Sequence, residues 1–386
     1  MFPKIYICSR TTINTALQFY YEQNWFLQPL SPNFSIYTVH FIYISLWSPP
    51  SAVVYVKTTL RTSMLEFHGY KTYRTTRWLA LFSTSMRTFL FAVSLLATLV
   101  SANWIEIDWR KVRSIEDFDH YWDRLPTEMK IYRQRRPFQR ITNGQEATPG
   151  QFPYQIILLS DFPTGTALCG GSVLTRSFIL TAAHCVVSGT NTVVSGGIAI
   201  MGAHNRTIQE ASQQRIRYTA SGIRYHPLYV SSTLRYDIAV VLLNSSITFT
   251  DRIQPVRLPA RSDTRQFGGF VGTLSGFGRT TDASQSISTV VRFTSNPVMT
   301  NANCITRWGS SNIQDQNVCL SGTGGRSSCN GDSGGPLTVE SGGPIQIGVV
   351  SFVSIRGCEV GMPSVYSRVS FYLNWVEINS DFVAQP

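Results

Sequence analysis

From Ile141 to the C-terminus, short apolar and β-branched runs alternate with clusters of Gly, Pro, Asn and Ser. The runs Gln155–Leu159, Gly171–Leu174, Phe178–Ala182, Ile238–Leu243, Gly269–Ser275, Gln346–Val353 and Ser364–Arg368 predict strands. Many short strands at this spacing predict an all-β sandwich or barrel. Helical periodicity is convincing only over Val369–Asn379, where Phe371, Leu373, Trp375 and Ile378 share one face. Upstream the pattern differs. Residues 1–85 are rich in Tyr, Phe, Thr and Ser and lack a period, and Pro29, Pro32, Pro49 and Pro50 interrupt them. They read as an upstream gene-model extension or a disordered leader rather than as a domain.

Met86 opens a different pattern. Arg87 precedes the twelve-residue apolar run Phe89–Val100, and Val100-Ser101-Ala102 supplies small residues. This is the three-part form of a secretory signal peptide over 86–102, and the run is short for a membrane span. A signal anchor is the competing reading and would make a membrane-anchored protein. Residues 103–140 are charged and aromatic and end in Arg133-Gln-Arg135-Arg136-Pro137-Phe138-Gln139-Arg140. On composition alone they read as a solvated linker.

Composition narrows the class. At about 100–200 residues per domain, 386 residues allow two or three domains. With 43% apolar and 14% charged residues, a buried core is available and global disorder is excluded. The net charge of +11 is uneven: residues 1–140 hold 17 basic and 9 acidic side chains, residues 141–386 hold 16 and 13. The later segment therefore gives no argument for a nucleic-acid-binding face. Six of seven cysteines fall after residue 168, which suggests disulfides and an oxidising compartment, and Cys8 stands apart. No CxxC pair suggests a structural zinc site.

Three local sequences carry candidate chemistry: Leu180-Thr181-Ala182-Ala183-His184-Cys185, Tyr236-Asp237-Ile238-Ala239-Val240-Val241-Leu242, and Asn330-Gly331-Asp332-Ser333-Gly334-Gly335-Pro336. Each alone is an ordinary structural stretch. Together, in this order, they make residues 141–386 resemble the chymotrypsin family of serine proteases. The resemblance implies two packed six-stranded Greek-key β-barrels with a C-terminal helix. It makes Ser333 the nucleophile, His184 the base and Asp237 the group that orients the imidazole. A serine hydroxyl is a weak nucleophile and needs a base with a pKa near operating pH. Backbone N–H groups of Gly331 and Ser333 would form the oxyanion hole.

The same resemblance gives meaning to other residues. Arg140 followed by Ile141-Thr142-Asn143-Gly144 resembles an activation site, so 103–140 becomes an activation propeptide. Cleavage after Arg140 would free the Ile141 ammonium to pair with Asp332, and a trypsin-like protease would be the activator. The implied disulfides are Cys169–Cys185, Cys304–Cys319 and Cys329–Cys358, where spacing alone leaves fifteen connectivities open. No cysteine lies in 103–140, so the propeptide is not expected to stay tethered after cleavage.

Ser327 would form the base of the primary pocket, and the absence of Asp there disfavours Lys and Arg substrates. Ser351-Phe352-Val353 would hold the substrate backbone, with Val353 and Ser364 narrowing the mouth. This implies an elastase-like preference for small or medium aliphatic residues, with chymotrypsin-like specificity as the alternative. Met201-Gly202-Ala203-His204-Asn205 with Glu210 offers too few hard oxygen ligands for calcium, so no metal and no cofactor is expected. Asn205-Arg206-Thr207 and Asn244-Ser245-Ser246 are glycosylation patterns; Asn205, in a loop, is the favoured site over Asn244, which follows a strand. The expected product is a secreted, extracellular, monomeric endopeptidase. Its partners would be protein or peptide substrates, its activator and protein protease inhibitors, with no nucleic acid.

Overall fold

The structure is a computed structural model. It describes residues 104–124, 144–189, 192–280, 284 and 286–386, together with two short strands, β1 (Ser45–Trp47) and β2 (Tyr55–Lys57). These two pair antiparallel within a separate unit, Met1–Ala97. The signal segment 86–102 and the activation residues Arg140 and Ile141 lie outside the described residues.

The second unit begins with β3 (Arg113–Ser114), α1 (Asp119–Asp123) and β4 (Gln145–Glu146). Then come β5 (Gln155–Phe162), β6 (Gly165–Val173), β7 (Phe178–Thr181), β8 (Gly196–Met201), β9 (Gln214–Thr219), β10 (Ile223–Tyr225) and β11 (Ala239–Leu242). The second half holds β12 (Val271–Gly276), β13 (Arg292–Met299), α2 (Asn301–Trp308), β14 (Asn317–Leu320), β15 (Pro336–Glu340), β16 (Pro344–Phe352), β17 (Ser364–Arg368) and α3 (Val369–Ile378).

The fold is all-β in two layers of antiparallel strands with a C-terminal helix, as the sequence pattern implied. The two layers close differently. In the second, β12–β15–β16–β17–β14–β13 returns to β12 and forms a closed six-strand barrel, with β4 added outside β13. In the first, the order is β10–β11–β7–β6–β5–β8–β9, and the rim strands β10 and β9 do not pair among the described residues. This sheet curls as a half-barrel.

Strand β5 shows why its Ile-Ile-Leu-Leu run is apolar throughout. Successive side chains point to opposite faces. Ile156 and Leu158 enter the core shared with Leu180, Val240 and Met201, whereas Ile157 and Leu159 enter a second cluster with Leu168 and Ile200. Ile107, Trp109 and Val112 pack on that second cluster from outside.

Buried polar pairs join the two layers. Ser172 donates to Gln346 at 2.6 Å, Ser275 donates to Gln155 at 2.7 Å, and the Tyr154 and Thr338 hydroxyls lie 3.2 Å apart.

The C-terminal helix turns a different face inward from the one its pattern suggested. Val369, Tyr372, Leu373 and Val376 are buried, at i, i+3, i+4 and i+7. Phe371 is 47% exposed and Ile378 is 81% exposed. The helix is apolar on several sides, so the core of the first sheet, which it joins, selects the buried stripe.

Residues 104–124 also depart from expectation. They are not a solvated linker. Ile115 is fully buried, Phe118 and Trp122 nearly so, and β3 pairs parallel with β6 through Arg113↔Ala167 and Ser114↔Leu168. Strand β7 covers β6 only at Ser172 and Val173, so the opposite end of that edge is free to accept β3.

Candidate active site

His184 sits in a single 3-10 turn, Ala183–Cys185, immediately after β7. Asp237 lies just before β11, which pairs with β7, so adjacent strands bring the two together. The turn ahead of Asp237 is tight. Tyr236 has φ of 53°, in the left-handed region, and its carbonyl accepts from the Ile238 N–H at 2.9 Å. Such backbone costs roughly 1–3 kcal/mol and persists where its surroundings fix it.

The Asp237 carboxylate is fully buried and accepts three hydrogen bonds. One comes from His184 Nδ1 at 2.8 Å, one from the His184 backbone N–H at 3.0 Å, and one from Ser351 Oγ at 2.6 Å. A carboxylate partner places the proton on Nδ1 and leaves Nε2 as the acceptor. His184 Nε2 is buried and has no hydrogen-bond partner among the described residues.

The loop Asn330–Gly335 precedes β15 in the closed barrel. Gly331 has φ of 98°, a conformation glycine adopts freely. The Ser333 carbonyl accepts from Gly170 N–H at 2.7 Å, which ties this loop to β6.

The Ser333 hydroxyl does not bond to His184. It donates to Glu116 Oε1 at 2.6 Å, and the Gly331 N–H donates to Glu116 Oε2 at 3.1 Å. Ser114 Oγ donates to the same carboxylate at 2.8 Å. Tyr121 lies edge-on to the His184 ring, centroids 5.9 Å apart. Neither Glu116 nor Tyr121 was singled out by motif. The signal available was the recurrence of Trp104, Ile107, Trp109, Val112, Ile115, Phe118 and Trp122 within a charged stretch, which is more apolar surface than a solvated linker carries.

Asp332 turns away from this carboxylate. Its oxygens accept from Gly278 N–H at 2.7 Å and Cys329 N–H at 3.0 Å. Gly278 allows this approach, since a Cβ there would meet the carboxylate at 2.3 Å. Burial pushes the Asp332 pKa up to about 7; the two backbone N–H groups oppose that shift and the Glu116 charge adds to it.

Of the residues expected to line a primary pocket, Ser351, Val353 and Ser364 lie on or next to the β16–β17 ladder, and Ser327 lies outside the strands. Ser327 is buried. Ser351 is buried with its hydroxyl turned to Asp237, so only its backbone remains to meet a ligand. The β16–β17 ladder ends at Phe352↔Val365, and Val353 and Ser364 are the next residues on the two chains. Val353 is half-buried. Ser364 is buried, its hydroxyl 2.9 Å from that of Tyr366.

Three disulfides join Cys169 to Cys185, Cys304 to Cys319 and Cys329 to Cys358, with sulfurs 2.02, 1.98 and 2.06 Å apart. The first lies against His184. Its sulfurs are bonded to each other and so are not free as metal ligands. Glu210 receives the N–H groups of His204 and Asn205 at 2.7 and 3.1 Å, so its carboxylate organises that loop. Asn205 is half-buried and its side-chain oxygen accepts from Thr207, whereas Asn244 is exposed. Among the described residues no helix is long and apolar enough to cross a membrane.

Comparison with known proteins places this geometry in a family. The trypsin family's sequence profile matches residues 141–376. Chymotrypsin of Phaedon cochleariae is 38% identical over 250 residues, covering 64% of this chain and 85% of the relative. Brachyurin of Leptuca pugilator is 38% identical over 237 residues, covering 61% and 97%. A solved collagenase structure superposes with a TM-score of 0.56 at 33% identity, covering 63% of this chain and all of the other. The chain belongs to the trypsin family of serine proteases, hydrolases that cut peptide bonds in protein substrates.

Proposed function

We propose that the chain is the precursor of a secreted endopeptidase in which Ser333, His184 and Asp237 act as a catalytic triad. One observation carries this reading. A single carboxylate group, that of Glu116, is reached at once by the Ser333 hydroxyl and the Gly331 N–H. A group seated there is within reach of both a nucleophile and an oxyanion donor, as acyl transfer requires. The His184–Asp237 pair is buried, and Tyr121, five residues after Glu116, lies edge-on to the His184 ring.

In the reaction Ser333 Oγ attacks the substrate carbonyl as its proton passes to His184 Nε2. The tetrahedral oxyanion is held by the N–H groups of Gly331 and Ser333. His184 then gives the proton to the leaving amine, and the C–N bond breaks. Water, deprotonated by His184, releases the acyl group from Ser333 in the second half.

The domain order is a signal at 86–102, an activation segment at 103–140 and the protease at 141–386. Cutting after Arg140 by a trypsin-like enzyme frees the Ile141 ammonium for Asp332. That carboxyl is buried and held only by backbone N–H groups among the described residues, so a cation beside it is strongly favourable. Three disulfides support an oxidising, extracellular destination. No cofactor is needed, and protein protease inhibitors are further partners of a monomeric enzyme. Exposure favours Asn244 over Asn205 as a glycan site.

The primary pocket accepts small and medium aliphatic side chains, because Ser327 is uncharged and Val353 narrows the wall. A chymotrypsin-like preference is the second reading, favoured by the 38% identity to a protein named chymotrypsin.

The test is covalent labelling. After cleavage at Arg140, a fluorophosphonate should label Ser333 and stop peptide hydrolysis, and Ser333→Ala should abolish both. Hydrolysis surviving in Ser333→Ala would overturn the assignment.

A further inference from the structure

The segment ahead of the activation site is docked along its length. Arg215 donates to the Ile105 carbonyl at 2.7 Å and its guanidinium lies 3.9 Å from the centroid of the Trp104 ring. Exposure then alternates: Ile107 and Trp109 face inward while Glu106, Asp108 and Arg110 face solvent. Next β3 adds to the open edge of β6, a mode in which main-chain pairing supplies affinity. Past the nucleophile, the Trp122 indole N–H donates to the Glu116 carbonyl at 2.8 Å and fixes the backbone that presents the carboxylate. Asp117 pairs with the nearly buried Arg279 at 2.5 Å.

These contacts converge on one result. Glu116 takes the proton donor of Ser333 and the N–H of Gly331, and the acceptor nitrogen of His184 is left without a partner among the described residues. A carboxylate is also a poor target for attack. Its charge is shared over both oxygens, and adding a nucleophile would place a second negative charge on the same centre. The group that faces Ser333 therefore occupies the site without being cut.

We propose that residues 104–124 are an inhibitor carried by the chain, with Glu116 seated in the oxyanion site, and that the segment still inhibits after cleavage at Arg140. Activation then has two stages: the cut, and the departure of the segment. The released segment is also a ligand in trans for a second activated copy. This rests on the proposed triad, because the segment is called an inhibitor by virtue of engaging Ser333.

The experiment uses the full chain cut after Arg140. Specific activity against a peptide amide should rise on dilution, as the segment leaves. Added synthetic peptide 104–124 should restore inhibition competitively, raising KM with kcat unchanged, and should slow fluorophosphonate labelling of Ser333. A peptide carrying Glu116→Gln should inhibit about tenfold less or worse, because hydrogen bonds to a charged acceptor are lost. The full chain with Glu116→Gln, cut in the same way, should begin at higher activity at equal concentration. The proposal fails if the peptide leaves labelling unchanged, or if the Glu116→Gln peptide inhibits equally well. Loss of all activity in Ser333→Ala separates the outcomes: with it, such failures overturn the inhibitor alone; without it, the triad itself falls.

Discussion

His184 and Asp237 come from the open first sheet, and Ser333, Gly331 and Asp332 from a loop of the closed second barrel; the two groups are completed in different ways. On the first side every bond is supplied by the folded protease. Asp237 is held by His184 and Ser351, and its carbonyl accepts from Ser367 Oγ at 2.6 Å. On the second side Ser333 and Gly331 are satisfied by Glu116, some two hundred residues earlier in the chain. On the proposed triad, the base is fixed by folding, while the Ser333 hydroxyl is held by the segment that carries Glu116. On that reading, control of the enzyme belongs on the second side.

The largest effect that bears on this comparison comes from breaking the first side. Asp237→Asn places an amide where a carboxylate stood, and its NH2 can face Nδ1. The imidazole proton then moves to Nε2, which no longer accepts from Ser333. After cleavage at Arg140, kcat should fall by about 10⁴-fold. Binding of peptide 104–124 should be nearly unchanged, because Glu116 bonds to Ser333 and Gly331 and the segment makes no hydrogen bond to the Asp237 carboxylate, which is taken by His184 and Ser351. A loss of kcat under tenfold, in protein that still melts cooperatively, would show that Asp237 does not orient the base.

The two sides also differed in how far they could be read from the residues alone. Strand β17 was legible to the residue, and β5, β7 and β16 to within a few positions, since short apolar and β-branched runs bounded by Gly, Pro, Asn and Ser define them locally. The buried face of α3 was not, because the choice between Phe371 and Tyr372 depends on a core assembled from distant strands. The three candidate site sequences around His184, Asp237 and Ser333 stand out because each is contiguous, and the fold pairs His184 with Asp237. Glu116 was not legible. Its role arises from a register, Ser114 beside Leu168, that sets an ordinary acidic residue against a nucleophile far along the chain. No local pattern encodes that juxtaposition.

A second test concerns Asp332 and is read as stability against pH. In the uncut chain its pKa is raised from 3.8 to about 7, so between those values the folded state binds more protons than the unfolded state. Stability from this group is fully present below about pH 4 and is lost as pH rises to about 7, by at most about 4 kcal/mol. Burial lowers the pKa values of His120 and His226, which contribute with the opposite sign near neutrality. The difference between the unmodified chain and Asp332→Asn isolates the carboxyl. Melting temperatures from pH 4 to 8 should show Asp332→Asn gaining relative stability across the window. After cleavage at Arg140 the sign should reverse, since the Ile141 ammonium favours the charged carboxylate and Asn loses that partner. The same sign before and after cleavage would mean that Asp332 receives no new cation.

The smallest effect concerns the pocket wall, which belongs to the second barrel together with the nucleophile. Val353 follows directly on the last β16–β17 pair, with Ser364 the neighbouring residue on the facing strand. The Ser364 hydroxyl is engaged with Tyr366, so the branched side chain of Val353 carries most of any narrowing. Forcing an aromatic ring against such a group typically costs about 1–3 kcal/mol, which corresponds to about 5- to 150-fold in kcat/KM. Ala, Val and Leu peptides should therefore be cut faster than Phe or Tyr peptides, with Arg peptides worst because Ser327 offers no counter-charge. Val353→Gly should raise kcat/KM for Phe peptides about tenfold and leave the Ala peptides within a few-fold. Because a small fluorophosphonate puts no aromatic ring against the wall, its labelling rate at Ser333 should stay the same. If Phe leads in the unmodified enzyme and Val353→Gly leaves the order unchanged, the wall is not what sets specificity, and the chymotrypsin-like preference replaces the aliphatic one.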